Sequence, residues 1–124
     1  MAGRPSLAGL NDSPFLVITV MSLISLLLTE CISNAAVIAI LLPIGISLSK
    51  SMGMDPRVMT LAVALPAGLA YCLPMGTPAN AIVFSSGFLK SREMILPGML
   101  IMAISWLLFL ASAWLVWPLI GFRI

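Results

Sequence analysis

The sequence has few ionisable side chains. It contains no histidine, and only six basic and four acidic residues occur among its 124 residues. Without histidine the chain lacks the most common metal ligand and the usual general base, so we do not expect an enzyme. Soluble domains are about 25% charged, and a charged fraction of 8% is too small to cover a soluble protein of this size. The net charge of +2 is too small and too scattered to indicate a nucleic acid partner.

Cysteine is also scarce. Cys31 and Cys72 are the only two, and both lie within apolar stretches, which indicates buried, reduced thiols that pack as small hydrophobic groups. Apolar side chains, in contrast, make up 61% of the residues, and the mean hydropathy is +1.19. This composition suits lipid as the surrounding solvent. We therefore predict an all-α membrane protein with the lipid bilayer as its environment.

The charged residues divide the chain into a short N-terminal tail and three apolar blocks. The tail covers residues 1–13, and the blocks cover residues 14–49, 58–89 and 94–120. The third block has the length of one membrane span, which needs about 20 apolar residues. We predict a final transmembrane helix there, with Trp117 near the membrane interface and Pro118 as the residue that stops the helix.

The first block is too long for a single span. One helix over residues 14–49 would be roughly 50 Å long, against a hydrocarbon thickness of about 30 Å. The polar sequence TECISN at residues 29–34 divides the block into arms of about 14 and 15 residues, each only about 21–23 Å long. Short apolar arms that meet at a polar turn predict a re-entrant helical hairpin. The alternative is one ordinary span that carries a polar patch.

The second block contains a cluster of helix breakers. Pro74, Gly76 and Pro78 lie within five residues, next to the polar Thr77 and Asn80. Proline removes a backbone donor and clashes with the preceding turn, and glycine adds conformational freedom. We therefore predict a discontinuous transmembrane helix over residues 58–89. The alternative is a kinked but continuous helix, because membrane helices tolerate proline.

Two interrupted helices in one small membrane protein indicate a binding site. Irregular backbone persists in hydrocarbon only against protein or a water-filled cavity, so the two interruptions are expected to face each other. Asn34 stands at the N-cap position of a helix beginning at Ala35, and Thr77 at that of a helix beginning at Pro78. Both helix starts would present free N–H groups and the positive end of the helix dipole, which attract an anion.

The helix ends at the same interruptions predict a cation site. Free carbonyl groups near residues 28–32 and 73–76, with the side-chain oxygens of Thr29, Ser33 and Asn34, form a set of hard oxygen ligands that suits sodium. The single carboxylate inside a block, Glu30, has two interpretations. It takes part directly in function, or it binds backbone N–H groups at the interruption, and the second interpretation is preferred.

Two motifs resemble a known family, the divalent anion/sodium symporters. Residues 29–35 (TECISNA), followed by LLPI at residues 41–44, resemble the second Ser-Asn-Thr hairpin of that family. Residues 74–84 (PMGTPANAIVF) resemble its later Thr-Pro-Pro-Asn-Ala segment, which lies on a broken helix. The resemblance extends from about residue 14 to the end of the chain.

The resemblance implies a sodium-coupled secondary transporter in the cell (inner) membrane, multi-pass, that carries di- or tricarboxylates or sulfate; some relatives exchange anions instead. It also implies a homodimer that works by an elevator-like motion. The residues that match the substrate positions of the family are Ser33, Asn34, Thr77 and Pro78. Those that match its sodium positions are Thr29, Ser33, Asn34 and Gly76.

The chain departs from the family pattern in three respects. Ala35 replaces a threonine and removes a hydroxyl donor, and Ala79 replaces the second proline. The first change bears on the dicarboxylate assignment more than on the transporter assignment. Two alternatives are a member of the wider ion-transporter group that carries sulfate, arsenite or a metal–citrate complex, and a small non-transporting membrane subunit. Family members contain two inverted repeats, whereas residues 14–124 hold one hairpin, one broken helix and a last span. We therefore expect the C-terminal part of the second repeat, as a fragment, a split-gene half or a truncated product, whose missing partner is the first repeat.

Overall fold

The computed structural model describes residues 13–122, and within that range the chain is entirely helical apart from turns and loops. The all-α prediction is confirmed for these residues. Most of the predicted tail, residues 1–12, and the last two residues of the predicted membrane domain lie outside the described part. The five helices of residues 13–122 are α1 Pro14–Thr29, α2 Asn34–Ser51, α3 Pro56–Ala67, α4 Pro78–Ser85 and α5 Ser91–Leu115. We call residues 30–33 the turn and residues 68–77 the break.

Side-chain hydroxyl groups set the starts of α2 and α4. The Ser33 hydroxyl accepts the Ala36 N–H at 3.2 Å, so Ser33 is the N-cap and α2 begins at Asn34, one residue earlier than predicted. The predicted N-cap role of Asn34 is therefore wrong, because the neighbouring serine takes it. The Thr77 hydroxyl accepts the Asn80 N–H at 3.1 Å, and α4 begins at Pro78 as predicted.

The break is longer than the sequence predicted. We expected the upstream helix to end near residues 73–76, but α3 ends at Ala67. Two short-range bonds close it, from the Gly68 N–H to the Leu65 carbonyl and from the Leu69 N–H to the Pro66 carbonyl. The chain is then non-helical until α4 begins. The alternative of a kinked but continuous helix is thereby excluded.

Helices α1, α2 and α3 pack on one another and supply most of the apolar core. A Cβ atom on Gly45 of α2 would lie 2.6 Å from Cγ of Met59 in α3, so the glycine permits the close approach of these two helices. The end of α5 also contributes to this core. Its buried members are Ile18, Met21, Val37, Leu41, Met54, Val58, Met59, Ala62, Val63, Ala67, Ala113 and Trp117.

Helix α5 ends earlier than the third block. Its last residue is Leu115, because Pro118 disfavours the helical conformation of the residue before it and lacks the N–H that would bond back to residue 114. Trp117 is only 5% exposed and makes edge-to-face contacts with Phe109 at 5.7 Å and Phe122 at 6.2 Å. The expectation that Trp117 anchors the chain at a membrane interface is not supported, since its ring is buried against protein.

The helix lengths bear on the predicted hairpin. Helices α2 and α5 are long and apolar enough to cross a membrane, judged by length and composition. Helix α2 has 18 residues, about 27 Å, and is longer than the predicted arm, whereas α1 has 16 residues, about 24 Å. The polar turn between them is present, and the re-entrant course of the pair stays a prediction.

The loop before α3 allows a prediction on pH. Asp55 caps α3 by accepting the Arg57 N–H at 3.0 Å, and its carboxylate forms an ion pair with the Arg57 side chain at 2.8 Å. The hydrogen bonds and charge of Arg57 hold the pKa of Asp55 below its usual value of 3.8. The pair therefore stabilises the fold above that value and ceases to do so as the pH falls through the lower folded-state pKa.

We expect Asp55→Asn, which retains a capping oxygen, to lower the melting temperature by a small and constant amount between about pH 5 and 8. Below about pH 4 the difference from the unsubstituted chain should shrink. Thermal unfolding in detergent at several pH values measures this difference. A difference that persists unchanged at about pH 3 would contradict the assigned role of the ion pair.

Candidate functional site

Glu30 connects the turn to the break. Its side chain is 6% exposed, and three successive backbone N–H groups donate to its carboxylate. Tyr71 and Cys72 donate to Oε1 at 2.9 and 3.0 Å, and Leu73 donates to Oε2 at 2.8 Å. The preferred interpretation of Glu30 as a residue that binds backbone at the interruption is confirmed. The carboxylate satisfies donors that would otherwise be buried without a partner.

The last turn of α1 is bound to the last turn of α3. The Ser25 hydroxyl donates to the Val63 carbonyl at 2.7 Å. The Thr29 hydroxyl lies 2.7 Å from the Ala67 carbonyl and also contacts the side-chain oxygen of Asn34. Since a hydroxyl has one hydrogen, Thr29 donates to one of these two oxygens at a time. Its own lone pairs remain available to accept or to coordinate a cation.

Asn80 connects α4 to the break. Its side-chain amide donates to the carbonyl of Ala70 at 3.0 Å and to that of Leu73 at 3.2 Å. Because both carbonyls belong to non-helical backbone, they lack the intrahelical partners that they would have in a continuous span. Asn80 thus supplies donors from one side of the break, while Glu30 supplies an acceptor from the other.

Two glycines permit close approach to the break. A Cβ atom on Gly98 of α5 would lie 2.3 Å from the carbonyl oxygen of Tyr71, so the backbone of α5 rests directly on the break. A Cβ atom on Gly76 would lie 3.3 Å from Oε2 of Glu30. A second link joins α5 to α1, where the Trp106 indole donates to the Ser22 hydroxyl at 3.0 Å. Helix α5, for which the sequence predicted a membrane span and no binding role, supports the backbone of the break.

The structure distributes the predicted site residues over both interruptions. Thr29 and Gly76 are buried, Asn34 and Thr77 are half-buried, and Ser33 and Pro78 are exposed. Hydrogen bonds within residues 13–122 join Thr29 at the end of α1 to Asn34 and to Ala67 at the end of α3, and they join the turn to the break through Glu30. In that range they do not join Ser33 or Asn34 directly to Thr77 or Pro78. The two interruptions are therefore held together, and the ligand roles of the six residues stay predictions.

The helix starts retain donors for an anion. The caps on Ala36 and Asn80 leave the N–H groups of Asn34, Ala35 and Ala79 as first-turn donors without an intrahelical acceptor, while Pro78 has no N–H. These donors lie at the positive ends of two helix dipoles. The oxygens of Thr29 and Asn34 lie beside one of these starts. The arrangement offers donors for an anion and oxygen ligands for a small cation.

Sequence reasoning missed one contributor to this region. Gly98 carries no sequence signal, because a glycine within an apolar span is common. Asn80 was noted only as a polar neighbour of the proline cluster, although it supplies two of the hydrogen bonds of the break. The signal for Glu30 was clear, since it is the single charge within the first apolar block.

Comparison with known proteins gives a consistent set of similarities. A family model described as "Sodium:sulfate symporter transmembrane region" matches residues 4–122. The Na(+)/citrate cotransporter of Rattus norvegicus is 40% identical over 86 residues, which cover 69% of this chain and 15% of that protein. The sodium-dependent low-affinity dicarboxylate transporter 1 of Caenorhabditis elegans is 39% identical over 84 residues, which cover 68% of this chain and 14% of that protein.

A third relative is aligned over a longer stretch. The sodium-dependent dicarboxylate transporter SdcS of Staphylococcus aureus (strain USA300) is 36% identical over 108 residues, which cover 87% of this chain and 21% of that protein. In all three comparisons the matched stretch is a small part of the relative, between 14% and 21% of its length.

Proposed function

Because the chain belongs to the family of the sodium:sulfate symporter transmembrane region, we propose that it forms part of a sodium-coupled secondary transporter of di- or tricarboxylates or similar anions. The family description and the names of the relatives are those of membrane transporters, which confirms that the chain is not an enzyme and belongs in a membrane. Sodium as the co-transported ion agrees with the names of the family and of these relatives.

One observation carries the proposal: the turn and the break are joined, and a helix starts directly after each. The three hydrogen bonds to Glu30 connect the turn to the break. Helix α2 begins at Asn34, directly after the turn, and α4 begins at Pro78, directly after the break. The starts of α2 and α4 thus follow two segments that are bonded to each other, and they supply N–H donors for a carboxylate or sulfate group. We propose that the substrate is bound by Ser33, Asn34, Thr77 and Pro78.

The cation site is proposed beside the same turn. The oxygens of Thr29 and Asn34 are already in contact, and sodium needs several neutral oxygen ligands at close range. Gly76 is buried beside the Glu30 carboxylate, and its lack of a side chain permits this close approach. We propose that Thr29, Ser33, Asn34 and Gly76 coordinate sodium. Because Ser33 and Asn34 then belong to both the substrate site and the sodium site, the binding of substrate and the binding of sodium are coupled.

The proposed membrane architecture follows the same elements. Helices α1 and α2 form a re-entrant hairpin, α3 and α4 the two halves of a discontinuous transmembrane helix, and α5 the final span. In this proposal residues 14–124 are the C-terminal membrane domain, half of an inverted-repeat fold. The complete transporter would add the first repeat, assemble as a homodimer and reside in the cell (inner) membrane as a multi-pass protein.

Charge transfer across the membrane sets the energetic requirement. Moving one charge across 100 mV is worth about 2.3 kcal/mol, so import of a dianion into a negative interior costs about 4.6 kcal/mol at that potential. Two sodium ions cancel this charge, and a third makes the voltage a driving force. Coupling to sodium therefore lets such a transporter accumulate an anion against the membrane potential.

We expect uptake of labelled succinate, by proteoliposomes that hold the complete transporter containing this chain, to require an inward sodium gradient and to respond to voltage. Asn34→Ala and Thr77→Ala should each reduce uptake by about 10- to 150-fold, the effect of losing one hydrogen bond to a charged group. The control Ser85→Ala removes an exposed hydroxyl from α4, the helix that Thr77 caps, and should leave uptake unchanged.

Other outcomes of this experiment have definite meanings. Uptake that is independent of sodium would contradict the proposed coupling. Competition by sulfate, arsenite or a metal–citrate complex but not by dicarboxylates would assign a different anion, as the alanine at position 35 allows. Loss of assembly in both substituted proteins, with no transport by the unsubstituted protein, would favour a non-transporting membrane subunit.

A further inference from the structure

We infer that Glu30 is a positioning residue that holds the break in its non-helical form and keeps the substrate anion away from the three N–H groups it occupies. The inference deepens the proposed function, because the break is part of the proposed binding region. It concerns what Glu30 does to the backbone, and it makes Glu30 neither a sodium ligand nor a substrate ligand.

The Glu30 carboxylate is almost fully occupied by hydrogen bonds within the chain. A carboxylate has two oxygens with about four acceptor positions, and three of these accept N–H groups from residues 71, 72 and 73. All three distances are 3.0 Å or shorter, and the residue is almost completely buried. Charge-assisted bonds of this kind are about twice as strong as neutral ones. The negative charge of Glu30 is thus compensated within the chain.

The three donors of the break would attract an anion if Glu30 did not occupy them. Three consecutive N–H groups that point at one place form a concave site with a preference for anions. In the break that place is filled by the side chain of Glu30, from a residue 41 to 43 positions earlier in the sequence. A substrate carboxylate therefore meets a site already occupied by like charge. The donors that remain for it are those at the starts of α2 and α4.

Helix α5 also confines the break. The backbone of Gly98 lies directly against Tyr71, so both the carboxylate of Glu30 and helix α5 hold this segment. The amide of Asn80 binds two carbonyls of the same segment. Without the Glu30 carboxylate, the N–H groups of residues 71–73 lose acceptors, and the segment must move to find water or a new acceptor.

Cys72 provides a direct measurement of that movement. This residue is buried, and its N–H is one of the three donors to Glu30. Cys31 is exposed, so the prediction that both thiols are buried is wrong for that residue. In a Cys31→Ser background Cys72 is the single thiol of the chain. We expect Glu30→Gln to raise the rate of Cys72 alkylation by N-ethylmaleimide about tenfold or more in the full chain in detergent micelles. The glutamine oxygen still accepts two N–H groups, but its NH₂ group faces the third donor.

Two control substitutions separate positioning from general stability. Glu93→Gln makes the same chemical change at an exposed glutamate that accepts one backbone N–H, from Lys90 at 2.9 Å, and should leave Cys72 alkylation unchanged. Gly45→Ala disturbs the packing of α2 on α3 and should lower the melting temperature without exposing Cys72. An alkylation rate that changes only in parallel with the melting temperature across these proteins would overturn the inference.

Hydrogen exchange in the unsubstituted chain tests the inference without relying on the folding of any variant. Amide hydrogen exchange should be at least about 100-fold slower at residues 71–73 than in the exposed loop at residues 86–89, although both segments are non-helical. Equal exchange rates would overturn the inference. These outcomes do not depend on transport, so a sodium-independent uptake would defeat the proposed function and leave the role of Glu30 intact.

Discussion

Replacing Gly98 with alanine is expected to lower the melting temperature of the chain in detergent by about 4–12 °C, the equivalent of about 1–3 kcal/mol for overpacking. The added Cβ atom would lie 2.3 Å from the carbonyl oxygen of Tyr71 and 2.8 Å from its carbonyl carbon. These are backbone atoms, which cannot rotate away as a flexible side chain can. Either α5 or the break must shift, and the hydrogen bonds to Glu30 are stretched.

Gly68→Ala is the matched control for this prediction. Gly68 ends α3 in a right-handed conformation with φ of −84°, and a Cβ atom there would meet its nearest neighbour, the Leu65 carbonyl oxygen, at an ordinary 3.4 Å. The alanine should be neutral or stabilise the chain slightly, because it restricts the unfolded state. Thermal unfolding of both proteins in the same detergent gives the comparison. Equal melting temperatures would contradict the close contact of α5 with the break.

Replacing Asn80 with aspartate is expected to destabilise the chain by about 2–4 kcal/mol, although the two side chains have nearly the same shape. The substitution removes the amide that donates to the Ala70 and Leu73 carbonyls, and it places acceptor oxygens against acceptor oxygens. A protonated aspartic acid recovers one donor, so the destabilisation should diminish at low pH. Chemical or thermal unfolding at several pH values measures both effects.

Two further substitutions distinguish the lost hydrogen bonds from the added charge. Asn80→Leu removes the donors without adding a charge and should have an intermediate, pH-independent effect. Ser85→Asp adds a carboxyl group at an exposed position of the same helix and should have little effect on stability. If Asn80→Asp proved no more damaging than Ser85→Asp, the assigned contacts of Asn80 would be incorrect.

Much of the helical architecture and the family could be predicted because their signals are local or compositional. The low charge and high hydropathy indicated a membrane protein, and the proline–glycine cluster indicated an interrupted helix. The N-cap at Thr77 and the start of α4 at Pro78 were predicted correctly, because capping depends on residues only three positions apart. The same logic placed the cap of α2 one residue too late, since Ser33 and Asn34 are both good capping residues.

The position of the break could not be predicted because it depends on distant partners. Local rules place the interruption at the breakers, residues 74–78, yet α3 ends at Ala67. The backbone of residues 71–73 leaves the helix to donate to Glu30, whose position in space relative to the break is set by the packing of α1 on α3. The burial of Trp117 could not be predicted for the same reason, since it depends on where the chain after α5 folds back.

Composition and local motifs were thus sufficient to establish the membrane environment, the helices, the two interruptions and the family resemblance. Tertiary structure alone decided how the interruptions are joined, through Glu30, Asn80 and the contact of Gly98 with Tyr71. The physical reason is that a buried donor or acceptor in an interrupted helix must find a partner, and the choice among distant partners follows from how the helices pack. The sequence alone determines which groups need hydrogen-bond partners, and the packed structure determines which partners they find.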